Sequence, residues 1–135
     1  LEKILKNENE LQSQLDEFET IEKDKINKIL EAAYIAPSAK NKQSARVYVV
    51  QSEEGIEKLR ALTRCVYNAP TVMMIGYEES EQYVNEMEEG IVSGQQDASI
   101  VATHMMLEAT ELGIGSGLTD FQIQRLQKYL ICQSL

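Results

Sequence analysis

The chain is poor in the residues that most often catalyse reactions unaided. It has one histidine, His104, too few for a zinc site. Its two cysteines, Cys65 and Cys132, lie far apart without a CxxC spacing, which excludes a zinc ribbon and a disulfide framework. They read as free thiols of a reducing cytosol, so a cytoplasmic location is expected. No apolar run reaches the roughly 18 residues of a membrane span. The first residues, with Glu2, Lys3 and Lys6, do not form a signal peptide. Repeats, low-complexity tracts and proline- or serine-rich linkers are missing, so 135 residues are expected to make one domain over 1–135. Positive charge is also scarce. A net charge of −9 repels nucleic acid and anionic membranes as partners. The exception is Lys40-Asn41-Lys42-Gln43-Ser44-Ala45-Arg46, which carries three cations and no anion and suits a small anionic ligand.

What is present is hydrophobic periodicity. Leu1, Ile4, Leu5, Leu11, Leu15 and Phe18 make a narrow stripe on a helical arm over residues 1–20, which needs a partner surface. A second helix is predicted from about Glu22 to Ile35, with Ile26, Ile29, Leu30 and Ala33 facing inward and Pro37 stopping it. Val47–Val50 reads as a short strand. Ser52 offers an N-cap to a helix carrying Ile56, Leu59 and Leu62. Thr71–Tyr77 reads as a central strand, because Val72-Met73-Met74-Ile75 is apolar on both faces. The acidic stretch Glu78–Glu89 reads as a solvated helix or loop. A long helix follows from about Ser93 to Leu112, apolar or small nearly all round and ended by Gly113. Gly113-Ile114-Gly115-Ser116-Gly117 reads as flexible backbone. Thr119 and Gln122 then have the spacing of a capping box, with Leu118 and Ile123 as its staple, so a short C-terminal helix is expected within 117–135, from Asp120 to about Ile131. Two strands are marginal as a sheet, so helices must cover them or a second chain must add to them; either way the class is α+β.

Several residues invite chemistry but carry simpler readings. His104, inside the apolar helix, reads as a packed or interface side chain rather than a catalytic acid. Met73, Met74, Met105 and Met106 read as core filler. The pairs Glu53-Glu54, Glu78-Glu79 and Glu88-Glu89 read as solvated faces, since hydrolysis by paired carboxylates needs them to converge in a cleft. Asp97 reads equally as a hydrogen-bonding anchor of a dimer or as the cap of a helical turn. The Pro37–Gln43 segment, taken alone, is a helix stop and turn.

Taken together, four segments resemble one known family. Ile29-Leu30-Glu31-Ala32-Ala33-Tyr34-Ile35-Ala36-Pro37-Ser38-Ala39-Lys40-Asn41-Lys42-Gln43 is similar to the helix and Ala-Pro-Ser-x-x-Asn-x-Gln loop of nitroreductases. Val47–Val50 matches the strand that follows it, and Ala69-Pro70-Thr71-Val72-Met73-Met74-Ile75 the next. Gln96-Asp97-Ala98-Ser99 through Glu111-Leu112-Gly113-Ile114-Gly115-Ser116 resembles the long central helix and its glycine turn. The resemblance implies an α+β fold with a small antiparallel or mixed sheet flanked by helices, and a long central helix at a homodimer interface. It implies bound FMN that takes a hydride from NAD(P)H and passes electrons to a small-molecule acceptor, a nitroaromatic, quinone or similar compound. The flavin carries that chemistry, so no catalytic side chain and no metal ligand is expected. The residues implied to hold the flavin are Pro37, Ser38, Ala39, Asn41 and Gln43 of one subunit, with Gly115 and Ser116 bringing backbone close to the ring.

Two departures from the family pattern stand out. An arginine-rich N-terminal arm, which grips the FMN phosphate in the family, is replaced by Lys6-Asn7-Glu8-Asn9-Glu10-Leu11-Gln12-Ser13, and no arginine precedes Arg46. Lysine supplies a point charge where arginine supplies a bidentate fork. Lys40, Lys42 or a helix N-terminus are the substitutes available. Gln43-Ser44-Ala45 stands where the family has Gln-Pro-Trp. These departures keep two rival expectations open: a flavin-binding or degenerate, non-catalytic dimeric member, and a helical protein-interaction module.

Overall fold

The computed structural model describes residues 20–123 and 126–134, with side chains as far as Thr119. The predicted helical arm over residues 1–20 lies almost wholly outside them. Helix α1 spans Lys23–Ile35, strand β1 Ala45–Val50, helix α2 Glu53–Leu62, strand β2 Thr71–Tyr77, helix α3 Gly94–Glu111, strand β3 Gly115–Ile123 and strand β4 Leu126–Ser134. The strands form one antiparallel sheet in the order β1-β2-β4-β3. Among the described residues, no helix is long and apolar enough to cross a membrane.

Strand β2 organises the core because both of its faces are apolar. Met73 and Ile75 point to one side, where they pack with Ile26 and Ile29 of α1 and Ala98, Val101, Ala102, Met105 and Ala109 of α3. Val72 points to the other, against Ile56 and Leu59 of α2 and Val66 and Ala69 of the following turn. Met73, Ile75, Ile29, Met105 and Ile114 are each fully buried, and each contributes about 1.5–3 kcal/mol relative to exposure. Met73 and Met105 thus fill the core, as expected, while Met74 and Met106 pack at its margins. The Gln51 side-chain amide ties the layers, donating to Ile21 O and Thr71 Oγ1, each at 3.1 Å.

Local signals set most boundaries. Ser52 Oγ accepts the Gly55 N–H at 3.2 Å and caps α2, and α1 ends at Ala36, directly before Pro37. Gly113 takes φ 77, a left-handed turn that glycine adopts without a Cβ penalty. The acidic stretch is a short turn, Glu79–Glu81, followed by a solvent-exposed hairpin whose flanks bridge at Val84 and Val92.

The C-terminal expectation is overturned. Residues 117–135 carry no helix among the described ones. Gly115–Ile123 and Leu126–Ser134 are strands, and Thr119 and Gln122 lie inside β3, paired with Leu130 and Gln127 rather than capping a helix. Gly115 and Gly117 are strand residues paired with Ser134 and Cys132, not flexible backbone. The cause is non-local. β2 has two edges, β1 satisfies one, and the backbone groups of the other pair with β4 from Thr71↔Gln133 to Ile75↔Tyr129. The run Tyr129-Leu130-Ile131-Cys132 suits that position, and the hairpin delivers it.

The start of α3 is packed tightly. A Cβ on Gly94 would lie 2.2 Å from Tyr77 Cδ2 and 2.6 Å from Gln82 Oε1, which already accepts the Gly94 N–H at 3.1 Å. Gly94→Ala is expected to destabilise the protein by about 1–3 kcal/mol, although alanine is the better helix former. Chemical denaturation of the variant beside the parent chain checks this, and equal or greater stability of the variant contradicts it.

Candidate functional site

The loop between α1 and β1 is built under local strain. Ser38 is extended (φ −137, ψ 156), and Ala39–Asn41 then form a tight turn in which Lys40 (φ 52, ψ 24) and Asn41 (φ 54) are left-handed; Gln43 (φ 50) is left-handed too. Left-handed backbone costs a non-glycine residue about 1–2 kcal/mol. Such strain persists only where surrounding contacts hold it, and it concentrates at functional sites.

The contacts that hold it are short. Ser38 O accepts the Asn41 N–H at 3.0 Å, Ala39 O accepts the Lys42 N–H at 3.1 Å, and Ser38 Oγ accepts the Gln43 N–H at 3.0 Å. Arg46 Nη1 donates to Gln43 O at 3.1 Å and to Ala45 O at 3.0 Å, while its other arm pairs with Glu81. From α3, Asp97 Oδ1 accepts the Ala39 N–H at 3.0 Å, and Asp97 Oδ2 accepts the Ser93 hydroxyl at 2.7 Å. Within one chain, Asp97 thus bonds the residue that caps its own helix and reaches beyond it. It braces a loop of its own chain. Its signal was an acid opening an otherwise apolar helix, four residues after a serine.

Beside this loop is a cavity of about 200 Å³, lined among others by Tyr34, Ser38, Gln43, Asp97 and Val101. Several polar groups of the loop remain available for a ligand. Ser38 Oγ accepts one hydrogen bond and keeps its own proton to donate. Asn41 and Gln43 are exposed, and so are Lys40 and Lys42, which form no ion pair among the described residues. The Ser44 hydroxyl, next along the chain, is fully buried and finds no hydrogen-bond partner among the described residues. Nearby, the Glu78 carboxyl is held below the usual carboxylate range, first by the Ser80 hydroxyl, then by the Ser80 N–H, with the Arg46 charge a smaller cause. Those contacts persist at neutral pH and are lost only as pH falls through that lowered value. Among the described residues, no cluster of His, Cys, Asp or Glu is arranged to hold a metal ion.

The predicted residues fall into two groups. Pro37, Ser38, Ala39, Asn41 and Gln43 share the loop. Gly115 and Ser116 lie at the opposite corner of the sheet. The loop enters β1 at Ala45, level with Tyr77 of β2, whereas Ser116 pairs with Gln133, which pairs with Thr71 at the other end of β2. From Thr71 to Tyr77 is about 20 Å at roughly 3.4 Å per residue, and three strand spacings add about 14 Å sideways. The helix gives the same answer: Asp97 stands near the start of α3 and Gly115 follows its end, about 20 Å away at 1.5 Å per residue. One small ring cannot touch both groups in a single chain.

The same elements recur in known proteins. The model of the nitroreductase family matches residues 14–66 and 63–130. The chain belongs to the nitroreductase family. A nitroreductase family protein of Clostridium difficile 630 is similar over 86% of this chain and 73% of its own, with 30% identity and a TM-score of 0.78. An FMN-dependent nitroreductase of Clostridium difficile R20291 aligns at 25% identity over 87% of this chain and 78% of its own, with a TM-score of 0.68. A Desulfovibrio desulfuricans protein solved in complex with FMN shares the fold at 21% identity, over 96% of this chain and 84% of its own, with a TM-score of 0.69. No curated protein sequence matches the chain. Membership of the nitroreductase family makes the chain an oxidoreductase in kind.

Proposed function

We propose that the chain is an FMN-dependent NAD(P)H oxidoreductase of the cytoplasm that reduces nitroaromatic, quinone or similar acceptors as a homodimer. The observation that carries the reading is the braced Ser38–Gln43 loop beside its cavity, whose free donors suit a flavin. The Ser38 proton and the Asn41 and Gln43 amides are neutral hydrogen-bonding groups of the kind that a ring edge and a ribityl chain require. Lys40 and Lys42, which form no ion pair among the described residues, are cations on the same loop and suit the phosphate. FMN, when bound, supplies the hydride and electron transfer. The chain binds the ring, orients it and limits its contact with water.

A site completed by a second copy is favoured by the separation of the two residue groups. It is also favoured by the outer face of α3, which exposes Ile100, Thr103 and Leu107 at helical spacing with His104 half-buried among them. Apolar side chains on a helix that is otherwise core suit a self-complementary interface. One second reading is a flavin-binding subunit with weak turnover, because Lys6-Asn7-Glu8-Asn9-Glu10-Leu11-Gln12-Ser13 aligns with the arginine-rich phosphate arm without an arginine.

Purified protein is expected to be yellow, or to become so with added FMN, and to oxidise NAD(P)H when a nitroaromatic or quinone is supplied. Colour without turnover selects the flavin-binding reading; colourless protein that takes up no FMN refutes both. Lys40→Ala and Lys42→Ala are each expected to weaken FMN binding several-fold, by about 1 kcal/mol, and by less at high salt. Unchanged affinity in both variants removes the lysines from the phosphate site. Analytical ultracentrifugation at micromolar concentration should give a dimer, and a monomer that still binds FMN tightly is incompatible with a shared site.

A further inference from the structure

We propose that Asp97 is a positioning residue for the cofactor loop, acting through the Ala39 N–H to keep Ser38, Asn41 and Gln43 in the geometry that receives the flavin. The proposal rests on the flavin reading above and adds to it a residue that need not touch the ring.

The argument begins with the cost of the residue. Asp97 is 3% exposed, and no cation among the described residues pairs with it. An ionised carboxylate is expensive to bury unless hydrogen bonds and dipoles replace its water. Here the replacements are the Ala39 N–H at 3.0 Å, the Ser93 hydroxyl at 2.7 Å and a place in the first turn of α3, where the helix dipole favours negative charge. A helix cap alone does not need a carboxylate at this depth. The long-range partner explains it, since Ala39 is 58 residues away in the chain.

Ala39 is where the strained loop is gripped. Its N–H goes to Asp97 and its carbonyl accepts the Lys42 N–H, so the two left-handed residues between them, Lys40 and Asn41, are held from both sides. Releasing the Asp97 end lets them relax toward ordinary backbone and moves the side chains offered to the ligand. The brace extends further, because Ser93 Oγ accepts the Tyr83 N–H at 3.2 Å and so links the hairpin before α3 to the same carboxylate. A hydrogen bond to a charged group contributes about 1.5–3 kcal/mol, which corresponds to a change of about 10- to 100-fold in affinity if the bound loop depends on it.

The test is a double-mutant cycle read as FMN affinity, with thermal stability of the FMN-free proteins measured alongside. Asp97→Ala removes the acceptor. Ala39→Pro removes the donor from the loop side, and the extended Ser38 before a first-turn position is a backbone setting that accepts proline. Each single variant is expected to weaken FMN binding about 10- to 100-fold, and the double variant no more than the weaker single one, since both delete the same hydrogen bond. Asp97→Asn keeps an oxygen for Ala39 and offers an N–H that the Ser93 oxygen can accept, so it should bind FMN within a few-fold of the parent chain. Parent-like affinity in Asp97→Ala or in Ala39→Pro overturns the proposal, as do additive losses in the double variant. Should Asp97→Ala not fold, Ala39→Pro decides by itself: parent-like affinity overturns the proposal and the expected loss supports it. A parent chain that binds no FMN is a separate result, one that removes the flavin reading and this proposal with it.

Discussion

The contact on which the site depends is the hydrogen bond from the Ala39 N–H to the buried Asp97 carboxylate. It joins the loop that leaves α1 to the first turn of the helix that runs through the core. Pro37 ends α1, the loop turns through three left-handed residues, and β1 begins at Ala45. None of these steps is stable alone, because left-handed lysine, asparagine and glutamine prefer to relax. They hold because one end of the loop is tied to α3 and the other, through Arg46, to the turn at Glu81.

That bracing decides what the loop offers to a ligand. A hydroxyl with a free proton, two exposed amides and two exposed lysines are set on a braced loop beside a cavity. Ordering such groups before binding lowers the entropy cost of capture. On the proposed reading the flavin carries the reaction and the chain's contribution is placement.

The sheet order has a second consequence. Since β4 enters between β2 and β3, the glycine segment at the start of β3 is carried to the corner farthest from the loop. The same α3 that separates the two groups presents Ile100 and Leu107 outward along its length. A helix buried on one side in its own core with Ile100 and Leu107 exposed on the other is suited to the homodimer proposed above.

Much of this was legible in the amino acids. Pro37, the Ser52 cap, Gly113 and the two-faced apolar run of β2 act within a few residues, and local stereochemistry alone places α1, α2, α3, β1 and β2 close to where they are. The spacing of Thr119 and Gln122 is also a local signal, and it pointed to a helix that does not form, because backbone groups on the open edge of β2 found partners in β4. The order of the motifs was enough to indicate the family and the loop. Only the tertiary structure decided that Asp97 braces Ala39 and that the loop and Gly115 lie at opposite corners. Both depend on pairings between distant parts of the chain, where the free energy comes from hydrogen-bonding a buried carboxylate or closing a sheet and not from any preference that a short segment carries within itself.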